Sequence, residues 1–583
     1  MVSAKSGGIT RPLVQPLGLF SLISGWHPER PEKLVVRPLT ESTPALTLND
    51  AHRITANRNE VAAQLAADFA AVGKRVIVFC SDSRACSSVA KIVNKLLVRP
   101  KMKLNEIQAE MRATVLEDVG LASAVFDPKS CRAAVHHSDL LPLERRLVES
   151  VFRTKRERPD AGLDVIAATS TIAQGLNLPC DVVILAGTDR SVVDDPSGNP
   201  RKSLRPHEIL NALGRAGRAA YAATGLSIVI PADPILVNLS YLDFPDPHPD
   251  LGTIFSEQDA CEQILDPLER LLDQIETSAK SDGKVQAMIR RLSAVTQEGA
   301  SGFDDIVQRS FGYFQRRNSN VVTADQWLKS RRLALAKAEE ALGDPESLDW
   351  QHELAVRNGI SPRLIARLAD ALLEVPDRLH STADWLRWTL DIVANCPSDL
   401  PLFIRPAALE AVFGRAYQEN DVSARLILSA LKKLIEMWCA GVTLVEIEVW
   451  LLQWIRANEG KVKRQTSMSS KAHHARRFAI RITPDLSFLC GVLGQIAAHL
   501  YADVELSPLP MIDMLPQMVK NGDYDRHHMA LRQNAPGASR VITYKTYEQH
   551  SAHFTKSSSM SFDSVRNEVS TALIAALFDD LDF

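Results

Sequence analysis

The chain has no C-x-x-C pair: its eight cysteines, Cys80, Cys86, Cys131, Cys180, Cys261, Cys396, Cys439 and Cys490, are scattered singly. That spacing argues against a zinc site and against a disulfide framework, and it suits a reducing cytoplasm. No stretch reaches the roughly 20 consecutive apolar residues that a membrane-spanning helix needs, so no membrane is expected among the partners. At the N-terminus, Lys5 and Arg11 accompany an apolar run from Leu13 to Trp26 that Gln15 and Pro16 interrupt, which is not the pattern of a signal peptide. Neither charge dominates: 67 basic residues face 70 acidic ones, for a formal net charge of -3. A chain without a global basic field meets a polyanion only through a local groove. The composition therefore leads us to expect a soluble, cytoplasmic protein with no metal site.

At 583 residues and 45% hydrophobic, the chain is long enough for several domains with sizeable cores. Residues 1–45 are rich in Pro and Gly, show no sustained period and read as a connector. From Asn57 to Ile230 short β-branched strands alternate with amphipathic helices. The helices are expected over Glu60–Ala71, Ser87–Leu97, Leu143–Arg153 and Pro206–Ala219. The strands are expected over Arg75–Phe79, Ala133–Val135, Asp164–Ala168, Asp181–Leu185 and Leu226–Ile230. This alternation implies a parallel α/β sheet, whose functional loops gather at the carboxyl ends of the strands. After Pro231, strand-like runs become rare and long amphipathic segments such as Leu364–Leu373 and Ala424–Cys439 take over. Three regions follow: a connector over 1–45, an α/β domain over 46–240, and a mainly helical region over 241–583, with room for a winged helix and a helical bundle. No fixed-period repeat is evident.

The most specific signal is Asn211-Ala-Leu-Gly-Arg-Ala-Gly-Arg218, after a helical lead-in containing Glu208. A guanidinium stays charged and forks two hydrogen bonds onto phosphate oxygens, and the glycines allow close backbone approach. A solvated basic helix end has the same local composition. Upstream, Ala168-Thr-Ser-Thr-Ile-Ala-Gln-Gly-Leu-Asn-Leu-Pro179 follows a predicted strand, and hydroxyls at such a strand end suit a phosphate of a bound strand. Val135-His-His-Ser-Asp-Leu-Leu-Pro-Leu-Glu-Arg-Arg-Leu-Val-Glu149 precedes it, and Val76-Ile-Val-Phe-Cys-Ser-Asp-Ser-Arg84 comes first. In this order and spacing the four segments resemble motif IV, the H-H-x-x-L segment, motif V and motif VI of superfamily-two DExH helicases of the Ski-type and repair branch.

The resemblance implies a RecA-like helicase C-terminal lobe followed by a mainly helical C-terminal region. It casts Arg215 and Arg218 as catalytic arginine fingers that point at the γ-phosphate. Gly175, Asn177 and Asn211 would join them around the nucleotide, although Asn211 stands where the family has Gln and is shorter. Ser81, Ser83, Arg84, Thr169 and Thr171 would touch the nucleic-acid backbone, and His136 and His137 would serve as scaffold or strand contact. Val2-Ser-Ala-Lys-Ser-Gly-Gly8, with Trp26 and Arg37-Pro38, resembles motif III and the linker leaving a first lobe, with Lys5 where Thr is usual.

The rest of a motor is missing from the sequence. No G-x-x-x-x-G-K-[ST] occurs, because Gly73-Lys74, Gly283-Lys284 and Gly460-Lys461 are followed by Arg or Val, and no Asp-Glu dipeptide is found. ATP and Mg2+ are therefore expected only with a complementing first lobe that carries a Walker A and DExH box, in a partner chain or in a longer gene product. The nucleic-acid partner is expected to be a single strand of DNA or RNA, in repair, RNA processing or defence. The alternative is a non-catalytic nucleic-acid-binding or scaffolding module.

Two further segments lie in the C-terminal half. Met437-Trp-Cys-Ala-Gly-Val-Thr-Leu-Val-Glu-Ile447 is similar to a W-x-x-G segment common after this family's motor, and a buried Trp with a helix-ending Gly explains it equally well. The run Lys461, Lys463, Arg464, Lys471, His473, His474, Arg476, Arg477 and Arg481 is the densest positive patch. Lys463, Arg464, Arg476 and Arg477 are candidates for phosphate contact, and a solvated face is the alternative.

Overall fold

The computed structural model describes most of residues 57–230 and 301–579, with short strands before residue 57. Residues left undescribed include 170–177, 192–200, 217–223, 239–271, 274–288 and 459–471. The chain forms two compact units, Met1–Glu262 and Gln263–Phe583.

The first unit is built on a seven-stranded sheet. Its strands are β1 (Val2–Lys5), β2 (Leu13–Val14), β3 (Val76–Cys80), β4 (Ala133–His136), β5 (Val165–Thr169), β6 (Val182–Ala186) and β7 (Thr224–Ile230), in the spatial order β2-β1-β7-β6-β3-β5-β4. The five strands from β7 to β4 are mutually parallel, as the alternating pattern predicts. Helices α1 (Arg58–Ala71), α2 (Ser83–Leu96), α3 (Glu106–Val119), α4 (Pro142–Arg153) and α5 (Pro206–Leu213) connect or cover them.

Strands β3 and β6 are buried along their whole length, so both faces carry core and the sequence reads as continuous apolar runs. Side chains sort by the two-residue strand period. Val76, Val78, Val165, Ala167, Val182 and Ile184 pack on one face against the alanines of α1 and against Val89 and Val93 of α2. Ile77, Phe79, Ile166, Val183 and Leu185 pack on the other against Leu147, Val151 and Phe152 of α4 and Ile209 and Leu213 of α5. Truncating Phe152, which is fully buried, to alanine should cost about 3–5 kcal/mol.

Four local outcomes depart from the sequence expectations. Helix α2 begins at Ser83 and not at Ser87, because Asp82 caps it and accepts from the Ala85 amide at 2.8 Å. Helix α3 was not anticipated. It is closed by a capping box in which Asn105 and Gln108 exchange bonds, and buried Gln108 donates to Ser150 and Thr154, so a polar residue holds a core position. Helix α5 stops at Leu213, not Ala219, and gives way to a turn over 214–216. Val2–Lys5, inside the expected connector, forms an antiparallel strand whose register pairs Val2 with Ser227 and Lys5 with Thr224, with Leu13–Val14 paired on its other side.

The described residues of 301–579 contain helices and no strand. The longest are Val321–Leu342, Asp421–Cys439, Leu444–Asn458, Thr483–Leu500 and Phe562–Asp579. The W-x-x-G segment is a packing device here. Buried Trp438 donates Nε1–H to the Val519 carbonyl at 2.9 Å, and the Arg540 guanidinium lies 4.3 Å over its ring. Gly441, at φ +64°, ends the helix with Tyr544 so close that an added Cβ would meet it at 2.5 Å.

Candidate nucleic-acid and nucleotide interface

Three of the motif segments finish at one edge of the sheet. In the parallel ladders Cys80 aligns with Thr169, and Ala168 aligns with His136. Neighbouring strands lie roughly 4.8 Å apart, so the last residues of β3, β5 and β4 form a short row at the carboxyl edge. Thr169 closes β5 half-exposed, at the end of an otherwise buried strand. Beside it, Ser81 and Ser83 are half-buried and Arg84 is exposed, where the chain enters α2. A helix N-terminus carries a partial positive charge, and here Asp82 already satisfies the Ala85 amide.

The histidine pair lies deeper. His136 and His137 are each 4% exposed, which fits the scaffold role and removes them from direct contact with a strand in this conformation. His136 Nε2 donates to Glu149 Oε1 at 2.9 Å, tying β4 to α4. Burial holds its pKa below the usual value, partly offset by the Glu149 carboxylate. After the pair, the Leu140 amide closes a turn onto the His137 carbonyl, Pro142 opens α4, and Glu144, fully buried, accepts from the Leu141 amide at 2.8 Å. The sequence H-H-S-D-L-L-P-L-E thus folds as a strand end, a turn and a capped helix.

The arginine-bearing segment sits at the end of α5. Ile209, Ala212 and Leu213 anchor that helix in the core, while Asn211 faces outward. The following turn is closed by the Arg215 amide on the Ala212 carbonyl at 3.2 Å and by the Ala216 amide on the Leu213 carbonyl at 3.3 Å. The Leu213 carbonyl also accepts from Ser227 Oγ of β7 at 3.0 Å. Arg215 itself is 8% exposed. Ser227 was not singled out in the sequence; its only signal is a small polar residue at a core-facing position of an apolar strand. Thr171, Gly175, Asn177 and Arg218 lie outside the described residues.

A second link was also missed. Arg58, at the start of α1, pairs with Asp189 at 2.5 Å just beyond β6. The guanidinium crosses Gly187, at φ +110°, where an added Cβ would lie 2.4 Å from Arg58 Nη1. Only glycine leaves room for that arrangement.

The basic stretch is partly internal. Glu448, fully buried, takes His474 Nδ1 at 2.9 Å and the Ala475 amide at 2.8 Å, so it caps the helix that starts at His473. Arg476 is 3% exposed, and half-buried Arg477 donates to the Ala411 carbonyl at 3.3 Å. Arg476 is therefore held inside the helical unit and is not open to a phosphate, whereas Arg477 keeps part of its surface exposed. Lys463 and Arg464 lie outside the described residues.

Among the described residues no cluster of three or more His, Cys, Asp or Glu is placed to hold a metal ion, and no helix is long and apolar enough to cross a membrane.

Residues 112–220 match the helicase conserved C-terminal domain. The match takes in the His-His segment and the motifs around Thr169 and Arg215, and begins after Val76–Arg84. The antiviral helicase SKI2 of Saccharomyces cerevisiae is 30% identical over 154 residues, 26% of this chain and 10% of that protein. The human U5 small nuclear ribonucleoprotein 200 kDa helicase is 37% identical over 97 residues, 17% of this chain and 4% of that protein. The DExH-box ATP-dependent RNA helicase DExH13 of Arabidopsis thaliana is 36% identical over 97 residues, again 17% and 4%. The matched part of the chain spans only a small fraction of each relative.

Proposed function

Because this chain carries the C-terminal, RecA-like lobe of a superfamily-two helicase related to the Ski-type DExH proteins, we propose that it is the strand-gripping, arginine-finger half of an ATP-dependent nucleic-acid motor. The observation that carries this reading is the row of strand ends, in which Cys80 aligns with Thr169 and Ala168 with His136. The Thr169 hydroxyl at this carboxyl edge, with Ser81 and Ser83 on the segment that follows Cys80, suits phosphates of one strand, which position without reading sequence. Ser81, Ser83, Arg84, Thr169 and Thr171 form this half of the track. RNA is the first strand to test, since two of the relatives above are named as helicases of RNA or of a ribonucleoprotein.

Arg215 and Arg218 act on the γ-phosphate as charge develops there, with Gly175, Asn177 and Asn211 beside the nucleotide. The turn that carries Arg215 is anchored to the sheet through the Leu213 carbonyl, which supports such a role by fixing where the arginine segment leaves the helix. ATP and Mg2+ need a phosphate-binding loop and a metal-binding carboxylate from a first lobe, joined to this one or supplied by another polypeptide.

Anisotropy titration of fluorescent single-stranded RNA and DNA with the full chain tests the track. Thr169→Ala is expected to weaken binding with little change in salt dependence, since it removes a hydroxyl and no charge. Replacing Lys463 and Arg464 by glutamine is expected to flatten the slope of log K against log salt by about 1.4, the share of two single-strand phosphates. Undiminished affinity in Thr169→Ala would remove the strand-end row from the account.

A further inference from the structure

The helix Phe311–Ser319 presents a face that neither the motor motifs nor the core uses. Its inner side is fixed. Ser310 accepts from the Tyr313 amide at 3.2 Å as N-cap, and Tyr313, buried, donates its hydroxyl to Asp325 at 3.1 Å. Phe303, Val307, Tyr313, Ala324 and Leu328 form one core there. Arg316 lies 4.4 Å over the ring of Trp327, which clamps this helix to Val321–Leu342.

The outer side is unusual for a soluble helix. Phe311 and Phe314 are 37% and 56% exposed, and their rings stack at 6.4 Å with an interplanar angle of 23°. Gln315 and Asn318 are exposed as well. Positions i, i+3, i+4 and i+7 make a single stripe of two aromatic rings followed by two amides. Arg309 and Arg317 stand exposed on the same segment, and residues 309–319 hold three arginines and no carboxylate.

Each part of that surface matches a part of one ligand. Every nucleobase has a π-face that stacks on an aromatic ring, amides meet base edges, and guanidinium groups meet the backbone phosphates. A protein partner could cover the rings and pair with the arginines, but rings, amides and guanidinium groups side by side match the face, edge and phosphate of one nucleotide strand. We infer that the Phe311–Phe314 stack, flanked by Arg309 and Arg317, is a base-stacking platform for single-stranded nucleic acid. This deepens the proposed function, for it rests on the reading that the chain follows a single strand, and it adds a contact outside the motor motifs. Stacking is tolerant of sequence, so the platform grips without selecting a base.

The test uses the full chain and two fluorescent probes: an oligouridylate, and the same sugar-phosphate chain without bases. Phe311→Leu with Phe314→Leu keeps exposed apolar side chains but removes both π-faces. The expected result is about a tenfold loss of affinity for oligouridylate and no change for the abasic strand. Arg309→Gln with Arg317→Gln should weaken both probes and flatten the salt slope by about 1.4. If the leucine variant binds oligouridylate as the parent chain does, while Thr169→Ala binds it less well, the platform is refuted and the strand-end row stands. Equal losses on both probes would also refute stacking. If the parent chain binds neither probe, both readings fall together. Loss of self-association in the leucine variant, with strand affinity intact, would assign the rings to a protein contact and overturn the inference.

Discussion

The hydroxyl of Ser227 donates to the carbonyl of Leu213 at 3.0 Å, so a strand of the sheet holds the end of the helix that leads into the Arg215 turn. Both residues are buried, and the same carbonyl accepts from the Ala216 amide at 3.3 Å. The arginine segment is thus fixed to the sheet by a bond outside any motif.

Ser227→Ala is expected to loosen that turn. The fold should lose about 1 kcal/mol, the usual net worth of one hydrogen bond, since the carbonyl keeps one donor. Hydrogen–deuterium exchange at the Arg215 and Ala216 amides should quicken, while β3 and β5 stay protected, and Ser227→Thr should restore protection. Unchanged exchange in the alanine variant would show that the core around Ile209 and Leu213 fixes the turn by itself.

The helical unit contains an opposed pair of buried titrating groups. His528, fully buried, accepts from the Tyr524 amide through Nδ1 at 2.8 Å, and burial pushes its pKa down to about 3, with Arg532 and Arg540 adding to the effect. Between about 3 and the ordinary 6.5 the unfolded chain binds a proton that the folded chain does not, so this residue lowers stability as pH falls through that window. Asp523 works the other way: burial raises its pKa to about 6 from the ordinary 3.8, so its folded state gains as pH falls from 6 toward 3.8. His528→Asn keeps an acceptor for the Tyr524 amide and cannot charge. Thermal midpoints at pH 7 and pH 5 should show the variant gaining on the parent chain at the lower pH, by up to about 1.4 kcal/mol per pH unit. Asp523→Asn should show the opposite trend. A His528→Asn difference independent of pH would mean that His528 charges freely in the folded state.

Much of the fold was legible because burial writes a period into the sequence. Val76–Cys80 and Val182–Ala186 are apolar along their length and buried on both faces, and they were located to within a residue. Helix Glu106–Val119 escaped because Gln108, a polar residue, points into the core and is satisfied there by Ser150 and Thr154. Of the candidate site residues, Thr169 lies at a strand end as the sequence pattern placed it, whereas Arg215 lies in a turn after the helix that was expected to run through it. What holds them was not legible. Ser227, and the Arg58–Asp189 pair across Gly187, are long-range contacts with no local spacing to reveal them. Charge density misled at Arg476 for a related reason: counting cations along the chain cannot show that Glu448 lies buried among them and draws the segment inward.

In the proposed function, Arg215 and Arg218 act on a phosphate that another lobe must cradle, since the sequence holds no G-x-x-x-x-G-K-[ST] and no Asp-Glu dipeptide. Steady-state phosphate release with single-stranded RNA tests it most directly, measured on the chain alone and on the chain combined with a first lobe bearing Walker A and DExH motifs. No stimulated turnover is expected from the chain alone, and clear turnover is expected from the combination. Arg215→Ala or Arg218→Ala in the combination should reduce the rate by roughly 10³- to 10⁵-fold while strand binding persists. RNA-stimulated hydrolysis by the pure chain, or near-full turnover from either alanine variant in the combination, would contradict the proposed function.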